Sequence, residues 1–258
     1  GDGKSILFYA NDQEIAQILI DNIADINAKN ARDFSTPLFV LRNLEVIKLL
    51  IKHDADINAR NKLGNTPIFH SGDIDKIQLL IDNGAEINAK NKIGSTPLFY
   101  SKNIAVMKLL IDNGANINAE NNSGETPLFN YRGKGYVKFL IDNGANVNVK
   151  NSRGETPLFN HIAKNYNSKD VIELLINNGA DVNTKNALGQ TPLSWAIFNE
   201  QKEIAQLLID KGADTAYLNP DKGYFDPDVI KKLHMMNGYQ YPRITKFLRK
   251  NKFKLHRK

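Results

Sequence analysis

Residues 96–118 read TPLFYSKNIAVMKLLIDNGANIN, and the stretch decides the fold because it recurs along the chain. Its head, TPLF, begins at Thr36, Thr96, Thr126 and Thr156, with TPIF at Thr66 and TPLS at Thr191. Successive heads are 30, 30, 30, 30 and 35 residues apart, and a degenerate copy, SILF from Ser5, lies 31 residues before Thr36. The tail keeps step: ADIN at 24 and 55, AEIN at 85, ANIN at 115, ANVN at 145 and ADVN at 180. A fixed period of this size marks a repeat array, whose units bury their apolar faces only against their neighbours.

Each part has a mechanical reading. Thr before Pro reads as an N-cap and first helical residue, because the hydroxyl accepts an orphan N–H and Pro has none to lose. The block KLLI is apolar nearly all round, as a helix packed between two neighbours must be. Gly84, Gly114, Gly144, Gly179 and Gly212 follow it at the left-handed position that ends a helix. Asp54 is tolerable in that place. Ile23 is β-branched, so the first repeat is predicted to end its helix differently.

These motifs closely resemble the ankyrin-repeat family over about residues 3–214, through G-x-TPL (Gly64, Gly94, Gly124, Gly154, Gly189), the LL pair and the GADVN-like hairpin starts. The resemblance implies an all-α solenoid of about seven stacked helix pairs, with β-hairpin-like loops along one edge and a concave face. The family unit is about 33 residues, and most intervals here are shorter. The missing residues fall at the end of the first helix and the turn after it, so that helix is predicted to be short in repeats one to five. Repeats six and seven recover full length, as TPLSWAIFNEQKEIAQLLI shows. Where the family has His after TPL, this chain has Phe39, Phe69, Phe99, Phe129 and Phe159, read as packing between repeats. Two Asn columns (27, 58, 88, 118, 148, 183 and 30, 61, 91, 121, 151, 186) are read as turn chemistry and a ladder tying hairpins together.

Beyond residue 214 the repeat stops. Residues 215–258 are expected to form a helical extension: turn formers to 225, a capping helix after Asp226-Pro227, then a basic tail. The tail explains the net charge of +6. Residues 243–258 hold eight Lys or Arg and no acid, so residues 1–242 carry −2. On a helical wheel Ile244, Phe247, Leu248 and Leu255 share one side of that tail, with Phe253 opposite.

Composition narrows the chemistry. With no Cys among 258 residues there is no disulfide, zinc–thiolate site or cysteine nucleophile. Gly3-Lys4-Ser5 looks like the end of a phosphate loop but aligns with the repeat turn Gly94-Ser95-Thr96. Asp54-x-Asp56-x-Asn58 opens like a calcium loop, yet the sixth and twelfth positions are Ala59 and Asn65. The histidines (His53, His70, His161, His234, His256) share no ligand spacing. The reading is a non-enzymatic, cofactor-free, monomeric protein without a membrane span. The chain opens at Gly1 without Met or a signal pattern, so the native start is expected to lie outside it.

Carried over from the family, partner contacts fall at hairpin tips and on the concave side of the first helices. In the first half these tips are Lys29, Arg32, Arg60, Lys62, Lys90, Lys92 and Ile93, a basic set suited to an acidic partner segment. In the second half they are Glu120, Asn122, Glu125, Lys150, Arg153, Glu155 and Lys185, a mixed set. The resulting function is recognition of a partner protein, as an effector or an inhibitor. The alternative is an adaptor whose tail (Arg243, Lys246, Arg249, Lys250, Lys252, Lys254) binds nucleic acid or an anionic membrane.

Overall fold

The computed structural model describes residues 6–22, 24–69, 72–164 and 169–215, and the backbone of residues 218–219 and 224–225. The expected capping helix, the basic tail, Gly3-Lys4-Ser5 and Ile23 lie outside the described residues. The chain divides into two compact units, residues 1–127 and 128–258.

In the first unit each repeat is a short turn, Pro-led in all but the first, followed by a nine-residue helix. A 3₁₀ turn at Ile6–Tyr9 precedes α1 (Gln13–Asp21), and α2 (Pro37–Val40) precedes α3 (Leu44–Lys52). The turn Pro67–Phe69 leads to α4 (Ile74–Asp82), and Pro97–Phe99 leads to α5 (Ile104–Asp112). Helix α3 packs between α1 and α4, and α4 also packs on α5. The first helix of these repeats is thus three or four residues long, as the shortened period predicts. The second helices are capped by Asp12, Asn43, Asp73 and Asn103, whose side-chain oxygens accept first-turn N–H groups.

The second unit holds α6 (Lys134–Asp142), α7 (Pro157–Ala163), α8 (Lys169–Asn177), α9 (Pro192–Phe198) and α10 (Lys202–Asp210). Its first helices, α7 and α9, run seven residues, the predicted recovery. Helix α8 packs on α6, α7 and α10, and α9 packs on α7 and α10. After the repeats, β1 (Leu218–Asn219) pairs antiparallel with β2 (Tyr224–Phe225), bracketing the turn formers.

The Phe column is interior, as its fixed repeat position predicts: Phe39, Phe69, Phe99, Phe129 and Phe159 are all buried. The threonine reading needs a correction. The hydroxyls of Thr36, Thr66, Thr96 and Thr126 are buried without a hydrogen-bond partner. In a 3₁₀ turn the N–H of the third residue bonds back to the Thr carbonyl, as Phe69 N does to Thr66 O (3.0 Å) and Phe99 N to Thr96 O (3.0 Å). That leaves the hydroxyl nothing to accept. In α7 the Thr156 carbonyl takes Asn160 N instead, and Phe159 N turns to the Thr156 hydroxyl. Thr191 makes a full capping box with Ser194.

Candidate protein-interaction surface

Hairpins are held to one another by two sets of bonds. The first is the asparagine ladder. In the first unit Asn27, Asn58 and Asn88 donate from Nδ2 to the carbonyls of Asp54, Gly84 and Gly114 in the next repeat. Their Oδ1 atoms accept the backbone N–H of Asp56, Glu86 and Asn116. In the second unit Asn148 and Asn183 do the same to Gly179 and Asp181, and to Gly212 and Asp214. The second set joins the tips. In the first unit Lys62 N donates to Asp33 O (2.7 Å), Lys92 N to Leu63 O (3.0 Å) and Asn122 N to Ile93 O (2.9 Å). In the second, Ala187 N donates to Arg153 O (2.8 Å).

This close approach dictates local backbone. A Cβ on Gly94 would stand 2.7 Å from Asn122 N, and its φ is +77°. Phe34 occupies the corresponding place of its repeat with φ 60°, a left-handed bulky residue. Its ring lies 4.5 Å from Lys62 Nζ, a cation–π contact.

The basic candidates divide into two groups. Lys62 Nζ donates to the carbonyls of Ala31 (3.1 Å) and Arg32 (2.7 Å). Arg60 reaches Gly64 O, Lys90 O and Glu86, and Lys90 Nζ reaches Glu120 O. These three cations bridge repeats. Lys29, Arg32 and Lys92 are exposed and make no side-chain hydrogen bond among the described residues. Of the second-half candidates, Asn122 donates to Lys92 O and Lys150 to Lys185 O. Glu125 and Glu155 accept from Asn121 and Asn151 within their own turns, and Arg153 pairs with Glu155. The tail candidates lie outside the described residues.

Phe34, Leu63 and Leu188 escaped the reading from sequence. They are 47%, 62% and 68% exposed; Leu63 and Leu188 hold the same repeat position as Ile93, which is 57% exposed, and Phe34 holds the next one, that of Gly64 and Gly94. The signal was present: this repeat position reads Asp33, Leu63, Ile93, Ser123, Arg153 and Leu188, apolar in three of six copies.

Two titratable groups are buried away from the tips. Burial pushes the pKa of Lys76 down to about 8; Asp73 opposes this and Arg42 adds to it. Burial pushes that of His161 down to about 4, opposed by a hydrogen bond with the Leu128 backbone and reinforced by Lys164 and Arg132. Among the described residues no group of three His, Cys, Asp or Glu could hold a metal ion. Asp56, the second acid of the calcium-like stretch, accepts Asn58 N within its own turn. No described helix is long and apolar enough to cross a membrane.

The helix pairs, the ladder and the tip row together define a repeat protein built to present a surface. A family model of ankyrin repeats in three copies matches residues 6–91, 68–131 and 130–219, and the chain belongs to the ankyrin-repeat family. A search of curated proteins found no match. Ankyrin repeats generally serve as protein–protein interaction modules and are typically non-enzymatic.

Proposed function

We propose that this protein recognises one partner protein through the tips of repeats two to four. The observation that carries this reading is the exposed apolar pair Leu63 and Ile93 in successive tips, with exposed Phe34 in the tip before them, edged by Lys29, Arg32 and Lys92. Apolar side chains in a bonded row offer burial at low ordering cost, and the free cations set polarity. The occupant is an extended or helical segment that is apolar on one side and acidic on the other. Lys62, Arg60 and Lys90 hold the tips in place and contribute their charge from there.

The test is capture of the partner from lysate of the source organism under high salt and nuclease, followed by affinity measurement with variants. Leu63→Ser with Ile93→Ser, and separately Arg32→Glu with Lys92→Glu, are each expected to weaken binding at least tenfold, about 1.4 kcal/mol. Unchanged affinity in both pairs places recognition elsewhere. A ligand lost to salt or nuclease moves function to Arg243, Lys246, Arg249, Lys250, Lys252 and Lys254.

A further inference from the structure

A cavity of about 570 Å³ opens in the first unit, lined by residues 39–42, Gly72, Asp73 and Lys76. It lies where the shortened α2 stops and Leu41 turns extended (φ −65°, ψ 144°). Lys76 is the third residue of α4. The other repeats place Ile15, Val46, Val106, Tyr136, Val171 and Ile204 at that position. Only here is a charge put at an apolar site, and Lys76 is 3% exposed.

Its ammonium donates to Leu41 O (2.7 Å) and Phe39 O (3.3 Å), the carbonyls freed at the end of the short helix. Capping alone does not call for a cation, because neutral amides reach similar carbonyls elsewhere. Asn43 donates to Asn11 O, Asn160 to Phe129 O and Gln201 to Ile162 O. An ammonium has three donors, so one remains. Arg42, on the same cavity wall, is exposed and makes no side-chain hydrogen bond or ion pair among the described residues. Among the described residues Asp73 is the one acid of the lining, and its Oδ1 accepts Asp75 N and Lys76 N as the cap of α4. Two cations against one committed carboxylate leave the cavity positive, and a buried charge is costly until it is paired.

We propose that this cavity is an anion-binding site, taking a carboxylate or phosphate group between Lys76 and Arg42. The Arg42 guanidinium supplies a planar fork and Lys76 its remaining N–H. The volume suits a small metabolite or one acidic side chain. The cavity adjoins the first turn of α4, whereas the hairpin after α4 follows its last turn, nine residues or about 13.5 Å of helix away.

The test is a titration of the full chain, followed through the lysine side-chain NMR signals, with succinate and separately with inorganic phosphate. The expected result is a saturable shift of Lys76 with a rise in its pKa. Affinity should fall at least tenfold in Arg42→Gln and vanish in Lys76→Met. Preference for succinate identifies a carboxylate guest and preference for phosphate a phosphoryl guest. No saturable shift with either anion, or equal affinity in Arg42→Gln and the wild type, overturns the site. Arg42 is exposed, so its variant decides the matter even if Lys76→Met folds poorly.

Discussion

The short repeats of the first unit and the long repeats of the second solve the same end-capping problem in opposite ways. In the Thr-Pro repeats of the first unit the first helix is three or four residues long with an idle threonine, while the second helix is capped by Asp or Asn. In the last long repeat Thr191 caps α9 with a full box, while Gln201 at the head of α10 makes no cap. Removing about three residues shifts the orphan donors, and the polar residues follow them. A motif such as Thr-Pro-Leu is therefore no guarantee of its usual hydrogen bond. The length of the helix behind it decides.

The sharpest way to test this contrast is through pH, because each unit buries a described group whose pKa is pushed far down, Lys76 in the first and His161 in the second. Between pH 8 and 10.5 the folded state binds fewer protons at Lys76 than the unfolded state, so stability rises with pH across that window. Wild type should gain about 3 kcal/mol there relative to Lys76→Met. His161 acts at the other end. Its folded pKa of about 4 against 6.5 means that stability is lost as pH falls through that range, again by about 3 kcal/mol relative to His161→Leu. Denaturant unfolding of the three proteins, with hydrogen exchange to separate the units, checks both. Equal slopes in variant and wild type would remove the burial argument.

The ladder should be indifferent to the contrast. Asn58→Ala and Asn148→Ala each delete two bonds to the next repeat, and both are expected to cost about 2 kcal/mol. A markedly smaller loss in one unit would show that hairpin bonding, too, depends on repeat length.

Threonine substitutions probe the capping exchange directly. Thr66→Val or Thr96→Val replaces an unsatisfied buried hydroxyl by a methyl and is expected to raise stability by about 1 kcal/mol. Thr191→Val removes a working cap and is expected to lower it by about 1 kcal/mol. Thermal unfolding reads the opposite signs; the same sign for both would break the comparison. The smallest effect belongs to Phe34→Gly. Relief of the left-handed strain is partly offset by loss of the Lys62 contact, leaving a gain of about 0.5 kcal/mol. The same change should weaken partner binding, which separates the cost of Phe34 in folding from its use at the surface.

Periodicity by itself determined the repeat family, the buried Phe column, the short first helices and the left-handed Gly and Asp54 positions. These follow from local chemistry repeated at a fixed interval, since each copy must satisfy the same neighbours. It also located the basic tips. Only the tertiary structure decided which of those cations make no side-chain hydrogen bond among the described residues. Arg60, Lys62 and Lys90 spend their donors on carbonyls 30 or 31 residues away, a distance no single repeat reveals. The same holds for Lys76. In sequence it is one more lysine on an amphipathic helix; packing sets it against the carbonyls of a truncated neighbour and beside a cavity. Spacing dictates the frame because backbone geometry is local, whereas the state of a charge depends on what the next repeat brings against it.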